Sequence, residues 1–373
     1  MRELVDAAAP AAVPAPLAAD DPGPVPGRPA GLAVGLDIGG TKTLAALLSP
    51  AGDVLAQARV PSTPGADGVV AGAVRAVRDV VARAGDAAAA LGPVASVGVG
   101  VPGIVDPDAG SVRHAVNLGL GEEPVALAER LADALGAGVV VENDLTVAAV
   151  GAAHLTPAAG GRPVDLAYLA LGTGLAAGLV LDGRVRRGAA GAAGEIGHVP
   201  VDPQGPYCPC GQRGCLELYA SGSAVAALWP TPDGRPAPVA LFAAAAAGDP
   251  DAAAARGRYA AAVAAAVRVL VLSVDVRHVV LGGGVAQLGR PLLDAVRRAL
   301  DEQAATSPFL RSLGLAERVR LAPDHVPVAA VGAAVLGRRG RDGGARGAAP
   351  AVAPAPAHLP EPVDLQEESP GWK

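Results

Sequence analysis

Aromatic residues are scarce in this chain of 373 residues, which contains two Phe, two Trp and four Tyr, together 2% of the sequence. A core of the expected size must therefore be built from Val, Leu and Ala on regular helices and strands, in one large domain or two lobes. The 50 Gly and 35 Pro follow no three-residue period, which excludes a collagen-like chain.

The chain also lacks an excess of positive charge and a long uninterrupted apolar run. Its 30 Lys and Arg against 36 Asp and Glu give a net charge of −6, which argues against a nucleic-acid-binding surface. Pro93 and Pro102 break the longest uncharged run, residues 87–105, which indicates a helix end, a turn and a buried strand rather than a membrane span. The N-terminus has no apolar signal-peptide centre, so we expect a cytoplasmic protein.

Cysteine occurs only three times, at Cys208, Cys210 and Cys215. An odd number of closely spaced cysteines is a poor disulfide framework and indicates a metal cluster. His198 precedes them and completes the four nitrogen and sulfur ligands of a tetrahedral zinc site, which would be structural because no position stays open. Alternatively, the cysteines are reduced, buried side chains beside an unrelated histidine.

Two carboxylates flank this cluster, Glu195 before His198 and Glu217 after Cys215. A bound metal ion would hold Glu195, His198 and Glu217 in one place. Two carboxylates and an imidazole offer several hydrogen-bonding groups, so the cluster could help to form a binding site for a polyol.

Strand and helix patterns alternate between two Pro/Ala-rich ends. Residues 1–30 and 338–373 cannot bury enough apolar surface to offset their ordering entropy, and we predict that both tails are disordered. Between them, a strand–glycine turn–strand pattern at residues 34–48 returns at residues 166–181. The repetition indicates two similarly built lobes with a cleft between them.

We predict the individual elements from hydrophobic periodicity and from glycine and proline turns. Strands are expected at residues 32–38, 43–48, 54–60, 94–101, 139–142, 166–171, 175–181 and 279–281. Helices are expected at residues 69–91, 124–135, from 144 onward, near 216–228, at 239–247, 250–272, 290–305 and 326–337.

Three glycine-rich turns could bind phosphate, because glycine lets backbone N–H groups approach an anion closely. Their residues are Asp37, Gly39, Gly40, Thr41 and Lys42 in the first, Gly172, Thr173 and Gly174 in the second, and Gly282, Gly283 and Gly284 in the third. Asp37 could hold Mg²⁺ through water, and the first turn does not match a Walker A loop. Each turn could instead be an ordinary connection without a ligand.

Asn143 and Asp144 close a Val-rich strand and open a helix. An Asp at such a position is commonly a helix cap, with Asn143 helping the turn. Alternatively, Asp144 is a general base that takes a proton from a sugar hydroxyl, while Asn143 hydrogen-bonds a neighbouring hydroxyl.

Five motifs, in order along the chain, resemble those of the ROK family of sugar kinases and sugar-responsive repressors. They are DIGGTK (37–42), VEND (141–144), GTG (172–174), GAAGEIGH (191–198) and CPCGQRGCLE (208–217). The resemblance spans residues 32–337 and implies an α/β chain with an actin-like ATPase (ribonuclease H-like) fold, in which two lobes of mixed sheets flanked by helices enclose a central cleft. The expected units are an N-terminal lobe at 31–145, completed by the C-terminal helix near 326–337, and a C-terminal lobe at 146–325 with a zinc-binding loop at 198–217.

The resemblance also implies roles for particular residues, with Asp144 as the catalytic base. The positions implied to bind the sugar are Gly103, Asn117, Asn143, Asp144, Glu195, His198 and Glu217. The first and second glycine turns match the family's two phosphate-binding segments, and we also expect the third turn to bind ATP. The positions that match the family's zinc ligands are His198, Cys208, Cys210 and Cys215.

The expected activity is ATP-dependent phosphorylation of a hexose, most simply glucose to glucose 6-phosphate. We expect a homodimer or homotetramer that binds neither nucleic acid nor membrane. The alternatives are a kinase for mannose, fructose, N-acetylglucosamine or N-acetylmannosamine, a kinase that uses polyphosphate, or a non-catalytic sugar sensor or transcriptional regulator. Regulators of the family carry an N-terminal winged helix, whereas residues 1–30 show no recognition helix and no basic cluster.

Three positions depart from the family's pattern. Ala176 stands where kinases of the family usually carry another glycine, and Thr146 stands where Asn is usual. The segment after Asn117 lacks the usual Trp, which leaves the choice of sugar open.

Overall fold

The computed structural model describes residues 31–156, 164–232 and 234–342. The strands are β1 (Leu32–Ile38), β2 (Lys42–Leu48), β3 (Val54–Pro61), β4 (Val94–Val101), β5 (Ile104–Asp106), β6 (Ser111–Arg113), β7 (Gly138–Asn143), β8 (Leu166–Leu171), β9 (Leu175–Leu181), β10 (Arg184–Val185), β11 (His278–Gly282) and β12 (Val319–Leu321). The helices are α1 (Ala66–Leu91), α2 (Leu127–Leu135), α3 (Asp144–Leu155), α4 (Glu217–Ala220), α5 (Gly222–Leu228), α6 (Ala237–Ala246), α7 (Pro250–Val274), α8 (Arg290–Ala304), α9 (Pro308–Ser312), α10 (Leu315–Arg318) and α11 (Val328–Asp342).

Two five-stranded sheets share one topology. The N-terminal sheet has the order β3-β2-β1-β4-β7, and the C-terminal sheet has the order β10-β9-β8-β11-β12. In each sheet the first three strands are antiparallel, and the last three run parallel to one another. The strand–glycine turn–strand pattern repeated in the sequence therefore corresponds to β1–β2 in one lobe and to β8–β9 in the other.

The cores of both lobes consist almost entirely of aliphatic side chains, as the composition predicts. Val, Leu, Ile and Ala supply nearly all of the buried positions, and Tyr259 is the one aromatic residue among the largest fully buried side chains of the described residues. Small side chains allow helices to pack closely onto the sheets, because less volume separates the two backbones.

Helices α3 and α11 cross between the two sheets with their backbones in close contact. A Cβ atom built on Gly151 of α3 would lie 1.8 Å from the carbonyl oxygen of Val328, and one on Gly332 of α11 would lie 1.8 Å from that of Val147. Only glycine fits at such positions. The crossing places the start of α3, at Asp144, between the lobes.

The last helix continues further than the sequence predicts. We expected a disordered tail from residue 338, but α11 extends to Asp342. Arg338 explains the difference, because its Nη2 donates to the carbonyl oxygen of Leu48 at 3.1 Å and also contacts that of Ser49, which binds the helix end to β2. The predicted tails at residues 1–30 and 343–373 lie outside the described residues.

Most of the longer elements agree with the predictions to within about three residues, and the differences have local causes. The predicted helix at 216–228 is two helices, because the Ser221 side chain accepts the N–H of Ala224 and begins a new helix. The predicted helix at 124–135 begins only at Leu127, since Val125 forms a backbone bridge with Val112. The periodicity did not predict β5, β6, β10, β12, α9 or α10, which have at most five residues each.

By length and apolar composition alone, α7 could cross a membrane. It contains three arginines, Arg256, Arg258 and Arg268. In the fold, α7 packs against α6 and α8. One face of α7, with buried residues from Ala252 to Val271, lies in the C-terminal core, and packing within that lobe accounts for the apolar character of this face.

Candidate active site

Two carboxyl groups, those of Asp37 and Asp144, lie at the same edge of the N-terminal sheet. Asp37 is near the end of β1, and Asp144 begins α3 directly after β7. Because β1, β4 and β7 are parallel, their carboxyl ends meet at one edge, where ligands commonly bind in α/β proteins. Register supports this arrangement, since Asp37 lies opposite Gly100 of β4, and Gly100 lies opposite Glu142 of β7.

Both carboxyl groups have raised pKa values, and the charge of Asp144 contributes to that of Asp37. Burial raises the pKa of Asp37 to about 6, with a further increase from the charge of Asp144 and a decrease from Lys42. Burial also raises the pKa of Asp144, against a hydrogen bond from the backbone N–H of Leu145 at 2.9 Å. A carboxylate with a raised pKa accepts a proton more readily, which suits Asp144 to general-base chemistry.

The first glycine turn is a tight hairpin that contacts Asn117. The N–H of Gly39 donates to the carbonyl oxygen of Lys42 at 3.0 Å, and a Cβ on Gly40 would lie 2.8 Å from the Cβ of Asn117. Asn117 is in a short 3-10 turn. Gly103, with a φ of 99°, follows β4 and packs against the Arg113 carbonyl. Gly40 and Asn117, separate in the sequence, are therefore neighbours.

The second glycine turn is bonded to residues that follow the cysteine loop. The backbone N–H of Leu175, directly after the turn, donates to Glu217 Oε2 at 2.8 Å. The same oxygen lies 2.5 Å from where a Cβ on Gly174 would be, so a side chain at this position would displace the Glu217 carboxylate. The N–H of Gly222 donates to the Gly172 carbonyl at 2.7 Å. Glu217, predicted to bind sugar, thus also orders the turn.

The third glycine turn and Tyr168 line the cleft. A cavity of about 850 Å³ is bordered by Asp37, Lys42, Tyr168 and the glycines at 282–284. The Tyr168 ring packs on Gly282, where a Cβ would lie 2.0 Å from the hydroxyl oxygen. Burial raises the pKa of Tyr168 to about 12, opposed by a hydrogen bond with the Gly283 backbone and reinforced by the charges of Asp37 and Asp144. Its hydroxyl is therefore a neutral hydrogen-bonding group beside both carboxylates.

Sequence reasoning did not identify Tyr168, Arg59 or Arg83, although all three line this cavity. A polar tyrosine in the apolar strand LAYLAL was the available signal for Tyr168. The two arginines, on β3 and α1, gave no local signal because their approach to the cleft depends on how the lobes pack.

The four predicted metal ligands come together. The donor atoms of His198, Cys208, Cys210 and Cys215 all lie within 4.8 Å of one another, and the cysteines are free. The two Sγ atoms of Cys210 and Cys215 are 3.6 Å apart, and Cys208 Sγ is 3.9 Å from His198 Nδ1. In a tetrahedral zinc site with Zn–S bonds of about 2.3 Å, sulfurs are roughly 3.8 Å apart. The donor set therefore fits zinc in both chemistry and spacing.

The cluster has features that favour metal binding. Hydrogen bonds from the backbone and side chain of Gln212 lower the pKa of the Cys210 thiol to about 6, whereas burial and the neighbouring cysteines raise the pKa of Cys215 to about 12. Cys210 therefore forms the thiolate that a metal binds more readily than Cys215 does. Since Nδ1 of His198 faces Cys208, its other ring nitrogen is available for a different partner. Glu195 is exposed just before the 3-10 turn that contains His198, and its proposed role in sugar binding remains a prediction.

A further cavity of about 550 Å³ lies between the metal loop, α5 and α7, lined by residues such as Val201, Leu228 and Tyr259. It shares no lining residue with the cleft. The cleft is the better candidate for chemistry, because Asp37, Lys42 and the third glycine turn line it and the charge of Asp144 acts on Asp37.

The duplicated sheets, the α3–α11 crossing and the cleft between them define an actin-like ATPase fold, which confirms the predicted fold class. The chain belongs to the ROK family, whose model matches residues 33–339. The match agrees with the resemblance that the motifs indicated.

Solved structures of the family are similar over nearly the whole described region. A ROK hexokinase from Thermus thermophilus is 34% identical, with a TM-score of 0.65 over 84% of this chain and 100% of that chain. A ROK family glucokinase from Streptomyces griseus, in complex with glucose and AMPPNP, is 31% identical, with a TM-score of 0.63 over 83% of this chain and 100% of that chain.

Curated relatives have more than one function. A glucokinase from Streptomyces coelicolor is 35% identical over 192 residues, which is 52% of this chain and 57% of the relative. A xylose repressor from Caldicellulosiruptor bescii is 37% identical over 132 residues, 35% of this chain and 32% of that protein. An N-acetylmannosamine kinase from Citrobacter koseri is 41% identical over 101 residues, 27% of this chain and 34% of that protein. The chain thus matches little more than half the length of the curated glucokinase.

Proposed function

We propose that the protein transfers the γ-phosphoryl group of ATP to a hexose, most simply to the 6-hydroxyl of glucose. The observation that carries this proposal is the pair of buried carboxyl groups of Asp37 and Asp144, close enough for the charge of Asp144 to raise the pKa of Asp37. Asp37 also lines the cavity that Lys42 and the glycines at 282–284 border. The glucokinase and hexokinase names of several relatives support the same activity.

In this proposal Asp144 is the general base. It accepts the proton of the sugar hydroxyl as that oxygen attacks the γ-phosphate in line. Asn143 hydrogen-bonds a neighbouring hydroxyl and keeps α3 capped, since its Oδ1 accepts the N–H of Leu145 at 2.9 Å. Closure of the lobes excludes water, which would otherwise be the acceptor.

The nucleotide phosphates are expected to lie against the glycine turns, with Lys42 beside Asp37 as the nearby cation. Asp37 would hold Mg²⁺, because magnesium prefers one or two carboxylates together with phosphate oxygens. When bound, the ion would offset negative charge on the phosphates. With a pKa of about 6, Asp37 is mostly ionised at neutral pH and is available for this role.

We propose zinc as the ion of the His198, Cys208, Cys210 and Cys215 cluster. Four protein ligands leave no open position, so the ion would be structural. It would hold the loop from His198 to Glu217, and with it the sugar-binding groups proposed for both ends of that loop.

We also propose that the protein is cytoplasmic, that it forms a homodimer or homotetramer, and that it binds neither nucleic acid nor membrane. Gel filtration with light scattering would measure the oligomeric state directly.

The test is a coupled assay of ADP release with glucose, mannose, fructose, N-acetylglucosamine and N-acetylmannosamine. Turnover with glucose as the best substrate supports the proposal. Turnover with another sugar as the best substrate supports a sugar kinase and replaces glucose as the proposed substrate. The same sugars should be tested with polyphosphate in place of ATP.

A second candidate is a non-catalytic sugar sensor, which the match to a xylose repressor favours. The two candidates differ in turnover. A protein that binds a sugar in calorimetry but transfers no phosphate from either donor would be a sensor.

A further inference from the structure

An ion pair between a buried carboxylate, Glu142, and an arginine whose side chain is 38% exposed, Arg187, connects the two lobes beside the candidate site. Glu142, in β7 of the N-terminal sheet, is only 3% exposed. Arg187, which follows β10 of the C-terminal sheet, donates its Nε–H to Glu142 Oε2 at 2.9 Å, and its Nη2 contacts the same oxygen. The two residues are 45 positions apart in the chain, so only the packing of the lobes brings them together.

The other oxygen of Glu142 holds the backbone of the site. Glu142 Oε1 accepts the N–H of Asn143 at 3.0 Å. Asn143 in turn caps α3, because its Oδ1 accepts the N–H groups of Leu145 at 2.9 Å and Thr146 at 3.4 Å. Asp144 is the first residue of that helix. A continuous series of hydrogen bonds therefore connects Arg187 to the helix that carries Asp144.

Arg187 also anchors the loop that leads to Glu195. Its carbonyl oxygen accepts the N–H of Ala193 at 3.0 Å, and the carbonyl oxygen of Gly194 accepts the N–H of Ala177 in β9 at 2.8 Å. The same arginine thus contacts both segments that carry proposed sugar-binding groups, one from each lobe.

The burial of Glu142 makes the pair more than a surface ion pair. An exposed pair contributes little, whereas a buried carboxylate without its cationic partner is strongly unfavourable. Loss of Arg187 would therefore force Glu142 to move or to bind water, and Glu142 cannot move without changing its bond to Asn143.

We infer that the Arg187–Glu142 ion pair is an interlobe clamp that positions Asn143 and Asp144 for phosphoryl transfer, an inference that rests on the proposed function. Both members are positioning residues, since neither is proposed to touch sugar or nucleotide. Displacement of a reacting group by about 1 Å costs on the order of 10²-fold in rate, and this sets the expected size of the effect.

The experiment compares Arg187→Met with Arg187→Lys and with Arg186→Met, the matched control at the exposed neighbouring arginine. Steady-state kinetics should show kcat reduced about 10²-fold in Arg187→Met, while the KM for ATP changes little. Arg187→Lys should recover part of kcat, and Arg186→Met should match the wild type. Circular dichroism checks that each variant is folded.

A kcat of Arg187→Met within about twofold of the wild type would overturn the clamp and leave the proposed function intact. If Arg187→Met does not fold, the same kinetics are measured on Glu142→Gln and on the double variant Glu142→Gln/Arg187→Met. Should the wild type transfer no phosphate, the proposed function fails, and the clamp is judged by a double-mutant cycle of unfolding free energies. Coupling between residues 142 and 187 then supports the clamp, and additive losses overturn it.

Discussion

Glu217 accepts a hydrogen bond from the backbone N–H of Leu175 at 2.8 Å, which joins the cysteine loop to the second glycine turn. Glu217 lies two residues after the candidate metal ligand Cys215. A change in the metal loop is therefore expected to reach the cleft through this contact, although the three cysteines themselves take no part in the proposed transfer.

Removing a metal ligand should weaken sugar binding. Cys210→Ser changes the exposed cysteine of the cluster and leaves the buried Cys208 and Cys215 in place. We expect loss of bound zinc, measured by elemental analysis, and a sugar KM raised about 10-fold or more. Gln204→Ala, at an exposed position of the same loop, is the control. Purified wild-type protein without bound metal, or an unchanged sugar KM in Cys210→Ser, would contradict this prediction.

Asp144→Asn should remove turnover while leaving sugar binding largely intact. The amide keeps the size of the side chain but cannot accept the proton, and general-base catalysis is typically worth about 10²–10⁴-fold. Coupled kinetics give kcat, and isothermal calorimetry gives the sugar affinity. Asp133→Asn, at an exposed position of α2, controls for the loss of one negative charge. An Asp144→Asn variant with near-normal kcat would eliminate the proposed base.

Asp37→Asn should make the protein more stable at alkaline pH and less active. The native pKa of Asp37, about 6, lies above the ordinary aspartate pKa of 3.8, so the native state binds the proton more tightly than the unfolded state. As the pH rises from the unfolded pKa to the native pKa, the contribution of Asp37 to the free energy of unfolding falls. Well above pH 6 the carboxylate of Asp37 is ionised, and its burial lowers the free energy of unfolding by the full amount. Asn is neutral and does not have this cost.

The expected gain from Asp37→Asn at pH 8 is on the order of 1–3 kcal/mol in the free energy of unfolding. It should shrink as the pH falls from 6 towards 4, because the wild-type carboxyl is then protonated as well. Urea unfolding at several pH values measures the difference. Equal stability of the two proteins at pH 8 would show that burial does not disfavour the Asp37 carboxylate.

Tyr168→Phe should affect catalysis, and Tyr259→Phe should not. The Tyr168 hydroxyl lies in the cleft near both carboxylates, so its loss should raise the KM for ATP or lower kcat severalfold. Tyr259 is buried in the C-terminal core, and its hydroxyl has no hydrogen-bond partner among the described residues. Its removal should leave the activity unchanged and should keep or raise Tm, because an unsatisfied buried group is unfavourable. Equal kinetics for both variants would exclude a role for Tyr168.

Several features of the site could be predicted because their signals are local. The cysteine cluster lies within one short loop, so residue type and spacing indicated a metal site, and the fold brings the donors of His198 and the three cysteines together. The β1–β2 and β8–β9 hairpins were also predictable, since each depends on a glycine turn between two apolar strands. Asn143 proved to be the cap of α3, accepting two backbone N–H groups, while Asp144 is the first residue of the helix.

Other features had no local signal. Nothing in the sequence near Arg187 indicates a partner 45 residues earlier, and the contact of Gly40 with Asn117 depends on how a distant turn returns to the sheet. The extension of α11 to Asp342 depends on carbonyl groups at the end of β2. A helix boundary predicted from composition alone cannot include hydrogen bonds to a distant strand.

The sequence by itself determined the family, the two hairpins and the Val-, Leu- and Ala-based core, and it predicted the candidate metal ligands, because hydrophobic period, glycine turns and ligand spacing act over a few residues. Only the tertiary structure decided that Asp37 and Asp144 share one buried environment, that Glu217 serves the second hairpin, and that Arg187 faces Glu142. The reason is physical, since burial and charge pairing depend on which surfaces the α3–α11 crossing brings together.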